Sequence, residues 1–175
     1  MDQSVAIAEE RLADNDPSVV DSAACALAHL KTDRAVSALI RARGNPDPRV
    51  RCSVARGLDG NGGDGAIRTL IALMDDADDN VRDWATFGLG TQHDEDSPEI
   101  REALRNRLND ACEEARDEAL WGLARRKDRG GLQSLLDRLE TDHSSGDETT
   151  ADEILGLDSG TPVKDLCAGL RRLLA

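Results

Sequence analysis

The sequence predicts an all-α protein, a right-handed α-α superhelix of about four to five helix pairs, and three observations predict it. The phrase D-x-x-V-[RV]-x-x-[AV]-x-x-[AG]-L starts at Asp16, Asp47 and Asp78, a constant step of 31 residues. A frayed fourth copy carries Ala115, Arg116, Ala119, Gly122 and Leu123, 34 residues beyond Val81, Arg82, Ala85, Gly88 and Leu89. Inside each copy the apolar residues fall at 0, +4, +7 and +8, as in Val50, Val54, Gly57 and Leu58, which is one face of a helix. Only Trp84, Phe87 and Trp121 are aromatic among 175 residues, so the apolar content is mainly Ala, Leu, Val and Ile, suited to thin layers of closely packed helices.

Taken in order, residues 2–13 read as an N-terminal capping half repeat, because Val5 belongs to a second-helix pattern with no first helix before it. Four repeats follow over 14–140. Asp16-Pro17 and Asp47-Pro48 open first helices, the acid as N-cap and the proline at the tolerated first position. The small residue at +7 (Ala26, Gly57, Gly88, Gly122) permits a neighbouring backbone to approach closely. Second helices recur as Val36 with Leu39-Ile40, Ile67 with Leu70-Ile71, Ile100-Leu104-Leu108, and Leu132-Leu135-Leu136-Leu139. The polar stretch TDHSSGDETT (141–150) reads as a mobile acidic loop. Helical spacing returns at Ala151, Ile154 and Leu155 and again from Val163 to Leu174, so 151–175 reads as a degenerate C-terminal repeat that caps a single 1–175 domain.

Net charge is -13, and residues 141–160 contain six acids without a Lys or Arg. Such a field repels phosphate backbones and favours a basic partner, so no nucleic acid is expected. Cys25, Cys52, Cys112 and Cys167 lie far apart, with no C-x-x-C pair and no His at ligand spacing, and read as reduced thiols. The N-terminus lacks a basic signal-peptide region and no apolar run approaches 18 residues. A cytoplasmic monomer that does not engage a membrane is the expectation.

DPRVRCSVARGL (47–58), DDNVRDWATFGLG (78–90) and EEARDEALWGLARRKD (113–128) resemble HEAT-type repeats, specifically the HEAT-like class first recognised in phycobilisome lyase subunits. The resemblance implies a HEAT-like solenoid working as a scaffold. The run from Asp78 through SPEIREAL to SLLDRL (134–139) also resembles bacterial HEAT proteins encoded beside Rhs-type polymorphic toxins, which implies an immunity-type partner that binds and blocks a toxin domain. A general adaptor or a phycobilisome-lyase-like subunit is the alternative. In HEAT-like repeats the arginine column Arg51, Arg82 and Arg116 resembles the arginine that pairs with loop acids of an adjacent unit, here Asp47, Asp78 and Asp110 or Glu113.

Two groups of residues are candidate partner contacts. The resemblance implies that second helices line the concave surface, and the positions facing away from their stripes hold Arg41, Arg68, Arg101 and Arg105. Guanidinium forks there suit a carboxylate-rich segment, while Glu99, Glu102 and Asp137 nearby suit a solvated, salt-bridged face. The second group is aromatic. Trp84 at +3 lies at the edge of the apolar stripe and reads as core, whereas Phe87 and Trp121 share the +6 column and read either as packing between repeats or as an exposed anchor.

Catalytic and metal patterns are missing from the sequence. DGNGGDG (59–65) and DDADDN (75–80) lack the glycine and glutamate positions of an EF-hand, and turn chemistry and helix capping account for them. His29, His93 and His143 are isolated, and no nucleophile elbow, phosphate loop or H-E-x-x-H occurs. A non-enzymatic protein without cofactor or metal is therefore expected. The step changes from 31 to 34 at the insertion QHDEDSP (92–98), beside Trp84, Phe87 and Arg101, which makes that region the first place to look for a partner.

Overall fold

The computed structural model describes residues 2–60 and 63–175, and among them it contains eleven α-helices and no strand. These are α1 (Asp2–Arg11), α2 (Pro17–Leu30), α3 (Asp33–Ala42), α4 (Pro48–Leu58), α5 (Asp64–Leu73), α6 (Asp79–Phe87), α7 (Pro98–Arg107), α8 (Glu113–Arg125), α9 (Arg129–Thr141), α10 (Ser145–Leu155) and α11 (Val163–Leu174), with a π-helical turn at Gly88–Gln92. The fold is all-α and repetitive. Among the described residues no helix is long and apolar enough to cross a membrane. The chain divides into two compact units, Met1–Glu95 and Asp96–Ala175, and the division falls inside the insertion that changes the repeat step.

In the first unit α2, α4 and α6 pack side by side, α3 and α5 return along them, and α1 packs on α2 and α3 as a lone helix. The +8 leucines Leu27, Leu58 and Leu89 are wholly buried, as are Val50, Val54, Val81 and Ala85 of the stripe. Gly57 meets α2 so closely that an added Cβ would lie 2.8 Å from the Ala28 Cβ, so the +7 glycine permits this approach. Ala26 in the same column is exposed.

Each first helix begins in the same way. Asp16, Asp47 and Asp78 accept from the N–H groups of Ser18, Arg49 and Asn80, capping α2, α4 and α6. Two residues earlier, Asp14, Asn45, Asp76 and Asp110 accept from the N–H of residues 16, 47, 78 and 112 at 2.9–3.0 Å, an Asx turn that repeats with the helices. The arginine column closes this turn from the other side, since Arg51, Arg82 and Arg116 donate to the carbonyls of Asn45, Asp76 and Asp110, always six residues back. The expected acid partners need correction. Arg51 forks onto Asp76 at 2.6 and 2.7 Å, Arg82 reaches Asp79, and Arg116 binds carbonyls at Asp110 and Ala111. Asp47 and Asp78 already serve as caps, and Asp47 also holds Arg49.

In the second unit α8 and α9 pack together with α10 and α11 over Leu120, Leu132, Leu135, Leu139, Leu166 and Leu170. The expected loop over 141–150 is also corrected. Helix α9 runs to Thr141 and α10 starts at Ser145, leaving only 142–144 between them. Ser144 and Asp147 form a reciprocal capping box, and acids in a first helical turn complement the helix dipole. The wholly buried Asp147 then accepts from Trp121 Nε1–H at 2.9 Å and from Arg138 Nε–H at 3.1 Å, while Arg138 also binds Asp117. Polarity here marks a buried ionic pin between helices.

Two outcomes follow from these contacts. Burial alone would raise the Asp76 carboxyl, but the Arg51 fork, the Asp78 N–H and the charges of Arg51 and Arg82 outweigh it and hold the value below the ordinary carboxylate range. The pair therefore stabilises the fold at neutral pH, and that contribution disappears as pH falls through the lowered value, below about 4. Asp76→Ala should cost about 2–4 kcal/mol in chemical denaturation at neutral pH and much less in acid. Asp147→Ala should cost about 3–5 kcal/mol, because it strands the Trp121 donor and half of the Arg138 fork, and near-ultraviolet circular dichroism should report Trp121 loosening.

Candidate protein-interaction surfaces

The aromatic residues of the first unit reverse the expected order. Trp84, read as stripe-edge core, is 36% exposed, whereas Phe87 is half-buried beneath it, ring centroids 5.8 Å apart and edge to face at 85°. Helix position alone does not set this order, since in α4 the +3 residue Ser53 is buried and the +6 residue Arg56 is exposed; the side chains of the adjacent helix decide it. The Arg56 guanidinium of α4 lies 4.8 Å from the Trp84 ring centroid, a cation–π contact across the two helices.

Beside this pair opens a cavity of about 310 Å³ lined by Cys25, His29, Lys31, Ser53, Arg56, Asp59 and Trp84 with Ala28. Its floor is ordered by hydrogen bonds. Ser53 donates to Asp21 at 2.8 Å, so the Cys25 thiol donates to Ser53 at 3.1 Å. Burial pushes the Asp59 carboxyl up, opposed by the charges of His93 and Lys31. Cys52, on the neighbouring stretch of the same face, is pushed up to about 11, first by burial and then by Asp78 and Asp76, so it is a poor nucleophile. All four cysteines are free thiols.

The arginines of the second helices are largely occupied. In the first unit Arg41 bonds Glu9 at 2.7 Å beside Arg34, whose fork chiefly holds the Glu9 carboxyl low, and the well-exposed Arg68 only approaches Asp64 at 4.0 Å. In the second unit Arg101 forks onto Asp96 at 2.7 and 2.6 Å and donates to the Arg126 carbonyl, while Arg105 binds Asp128 at 2.6 Å. Asp128 also caps α9 through Gly130 and Gly131, and these bonds with Arg105 hold its carboxyl low against its burial. The structure thus brings Arg101 and Arg105 together on Asp128, lining an open depression with Glu99 and Glu102.

Trp121, the other +6 aromatic, takes the packing alternative. Its ring lies against Gly146 so closely that a Cβ there would overlap it, and its N–H is engaged by Asp147. Among the histidines, His93 is buried with its two ring nitrogens facing the Leu58 carbonyl and Glu95, both at 3.1 Å, and His29 binds the Cys25 carbonyl. Among the described residues no cluster of His, Cys, Asp and Glu is arranged to hold a metal ion; the 59–65 loop includes residues 61 and 62, which lie outside them.

Arg56, Cys25 and Ser53 escaped the sequence reading, yet their signal was present. The +6 column that holds Phe87 and Trp121 also holds Cys25 and Arg56, and the +3 column of Trp84 holds Ser53. Reading only the aromatic members of the columns hid the rest of the surface.

Comparison with known proteins agrees with this architecture. A family model described as HEAT repeats matches residues 5–90 and 67–155. Protein YibA of Escherichia coli K12 is 36% identical over 99 residues, covering 57% of this chain and 35% of YibA, so the match spans about a third of that protein. A designed armadillo repeat protein superposes with a TM-score of 0.63 at 16% identity, covering 98% of this chain and all of that one. The complex of CpcE and CpcF of phycocyanin lyase from Nostoc sp. PCC7120 gives a TM-score of 0.53 at 22% identity, covering 98% of this chain and 99% of that one. The repeated helix pairs and the family match over most of its length place this chain in the HEAT repeat family.

Proposed function

We propose that this HEAT repeat chain is a protein-binding scaffold, and more narrowly an immunity-type partner that binds and blocks a toxin domain. The observation that carries the binding role is Trp84, an exposed indole backed by Phe87 and crossed by Arg56. Such a rigid aromatic and arginine pair has the composition of an interface hot spot. The net charge of -13 supports a basic partner, because an acidic body steers association and opposes contact with competing acidic surfaces.

The remaining candidates have smaller parts in this reading. Arg41, Arg68, Arg101 and Arg105 belong to the second helices of their own units, and their exposed pairs contribute little affinity. Trp121 acts from beneath, by keeping α10 in place. A general adaptor differs from an immunity partner in binding several segments weakly where an immunity partner binds one protein tightly.

Isothermal titration of the purified chain with a toxin domain encoded beside its gene separates the two. An equimolar complex with Kd on the order of 1 nM or tighter and loss of toxin activity are expected. Trp84→Ala should weaken it by about 2 kcal/mol, beyond the roughly 1 kcal/mol of folding stability lost with the Phe87 and Arg56 contacts. Arg68→Glu, at the well-exposed arginine, makes the chain more acidic and should speed association with a basic partner. Absence of that complex together with micromolar binding of unrelated segments would establish the adaptor, and an unaffected Trp84→Ala complex would remove Trp84 from the interface.

A further inference from the structure

Among the described residues, charge pairing on the face of α2, α4 and α6 leaves two cations, Arg56 and Lys31, without a hydrogen bond or ion pair. Asp21 accepts from Ser53, Asp78 caps α6 through Asn80 and Val81, and Asp47 is bound to Arg49. Asp59, which lines the cavity, lies within the field of Lys31 and His93. Arg56, by contrast, makes no hydrogen bond or ion pair among the described residues; its structural contact is the Trp84 ring. A guanidinium carries five N–H donors and no acceptor, and a contact with a ring face leaves those donors available.

The position of this cation matters as much as its freedom. Arg56 and Trp84 both line the cavity of about 310 Å³, together with Lys31, His29 and the Ser53–Cys25 floor. That volume lies at the small end of ligand sites and suits one side chain. Lys31 is held at φ 44, in the left-handed region that glycine favours, so the rim carries a second cation at a strained backbone position. In a protein of net charge -13 this is a locally cationic recess with an aromatic wall.

We propose that the cavity between α2, α4 and α6 receives an aspartate or glutamate side chain of the protein partner, with Arg56 forking onto its carboxylate and Trp84 covering its methylene groups. The fork supplies two parallel charge-assisted hydrogen bonds, which Lys cannot reproduce. This rests on the protein-binding reading and adds the chemistry of the anchoring residue. It also gives an acidic scaffold selectivity, because a basic partner docks productively only where it presents an acid in register with Arg56.

The test uses the full chain and the blocked peptide acetyl-Gly-Glu-Gly-amide, observed through the indole N–H signals of the two tryptophans. At millimolar peptide the Trp84 signal should move while that of Trp121 stays fixed. Arg56→Gln should weaken the titration about tenfold or more, with Arg56→Lys only partly restoring it. Equal shifts from the glutamine peptide, equal shifts from inorganic phosphate at the same ionic strength, or an unchanged titration in Arg56→Gln would each overturn the proposal. If Trp84→Ala weakens a toxin-domain complex while the glutamate peptide leaves the Trp84 signal unmoved, protein binding stands and the carboxylate recess falls.

Discussion

Everything in the repeats depends on how the chain turns into each first helix. At residues 14–16, 45–47, 76–78 and 110–112 an Asn or Asp side chain folds the backbone into an Asx turn, and in the first three copies the aspartate two residues on caps the helix. In the last three copies an arginine from the helix then returns six residues to the turn's own carbonyl, a position that Val20 occupies in the first. The construction satisfies backbone N–H and carbonyl groups that the turn and the first helical turn leave without intrahelical partners. With the turn locked, the +8 leucines of the first unit arrive at equivalent depths. Arg51 extends the lock to the next turn through Asp76, so the geometry of one repeat is passed to its neighbour.

The same economy governs the charged surface. Most arginines close turns or hold carboxylates, as Arg101 and Arg105 do around Asp96 and Asp128. In the second unit, where α10 has a short acidic first turn and few large apolar side chains, the buried Asp147 ties Trp121 of α8 and Arg138 of α9 to the start of α10. These assignments reduce the set of side chains available for recognition. Arg56 and Trp84 stand out because they meet across two helices, with Phe87 behind the indole, and both line a cavity.

The helices were legible because a fixed step and a 3.6-residue stripe leave few alternatives. Polar segments were harder to read. TDHSSGDETT lacks an apolar stripe, so composition suggested a loop, although Ser144 and Asp147 have capping-box spacing and Asp147 becomes wholly buried. Trp84 departs from its stripe-edge position for a related reason. A hydropathy stripe places an aromatic ring on a helix, but whether its edge position is covered depends on the side chain of the adjacent helix, here Arg56.

By itself, then, the sequence determined the unit and its period, because every apolar column must be buried by a neighbouring copy. It also determined the helix starts, since Asp-Pro and Asp-x-Asp patterns act within a few residues of themselves. Tertiary structure alone decided which arginines are occupied, which tryptophan is exposed and where a recess opens. Those outcomes depend on side chains about 31 residues apart meeting across adjacent helices, at distances that no local pattern specifies.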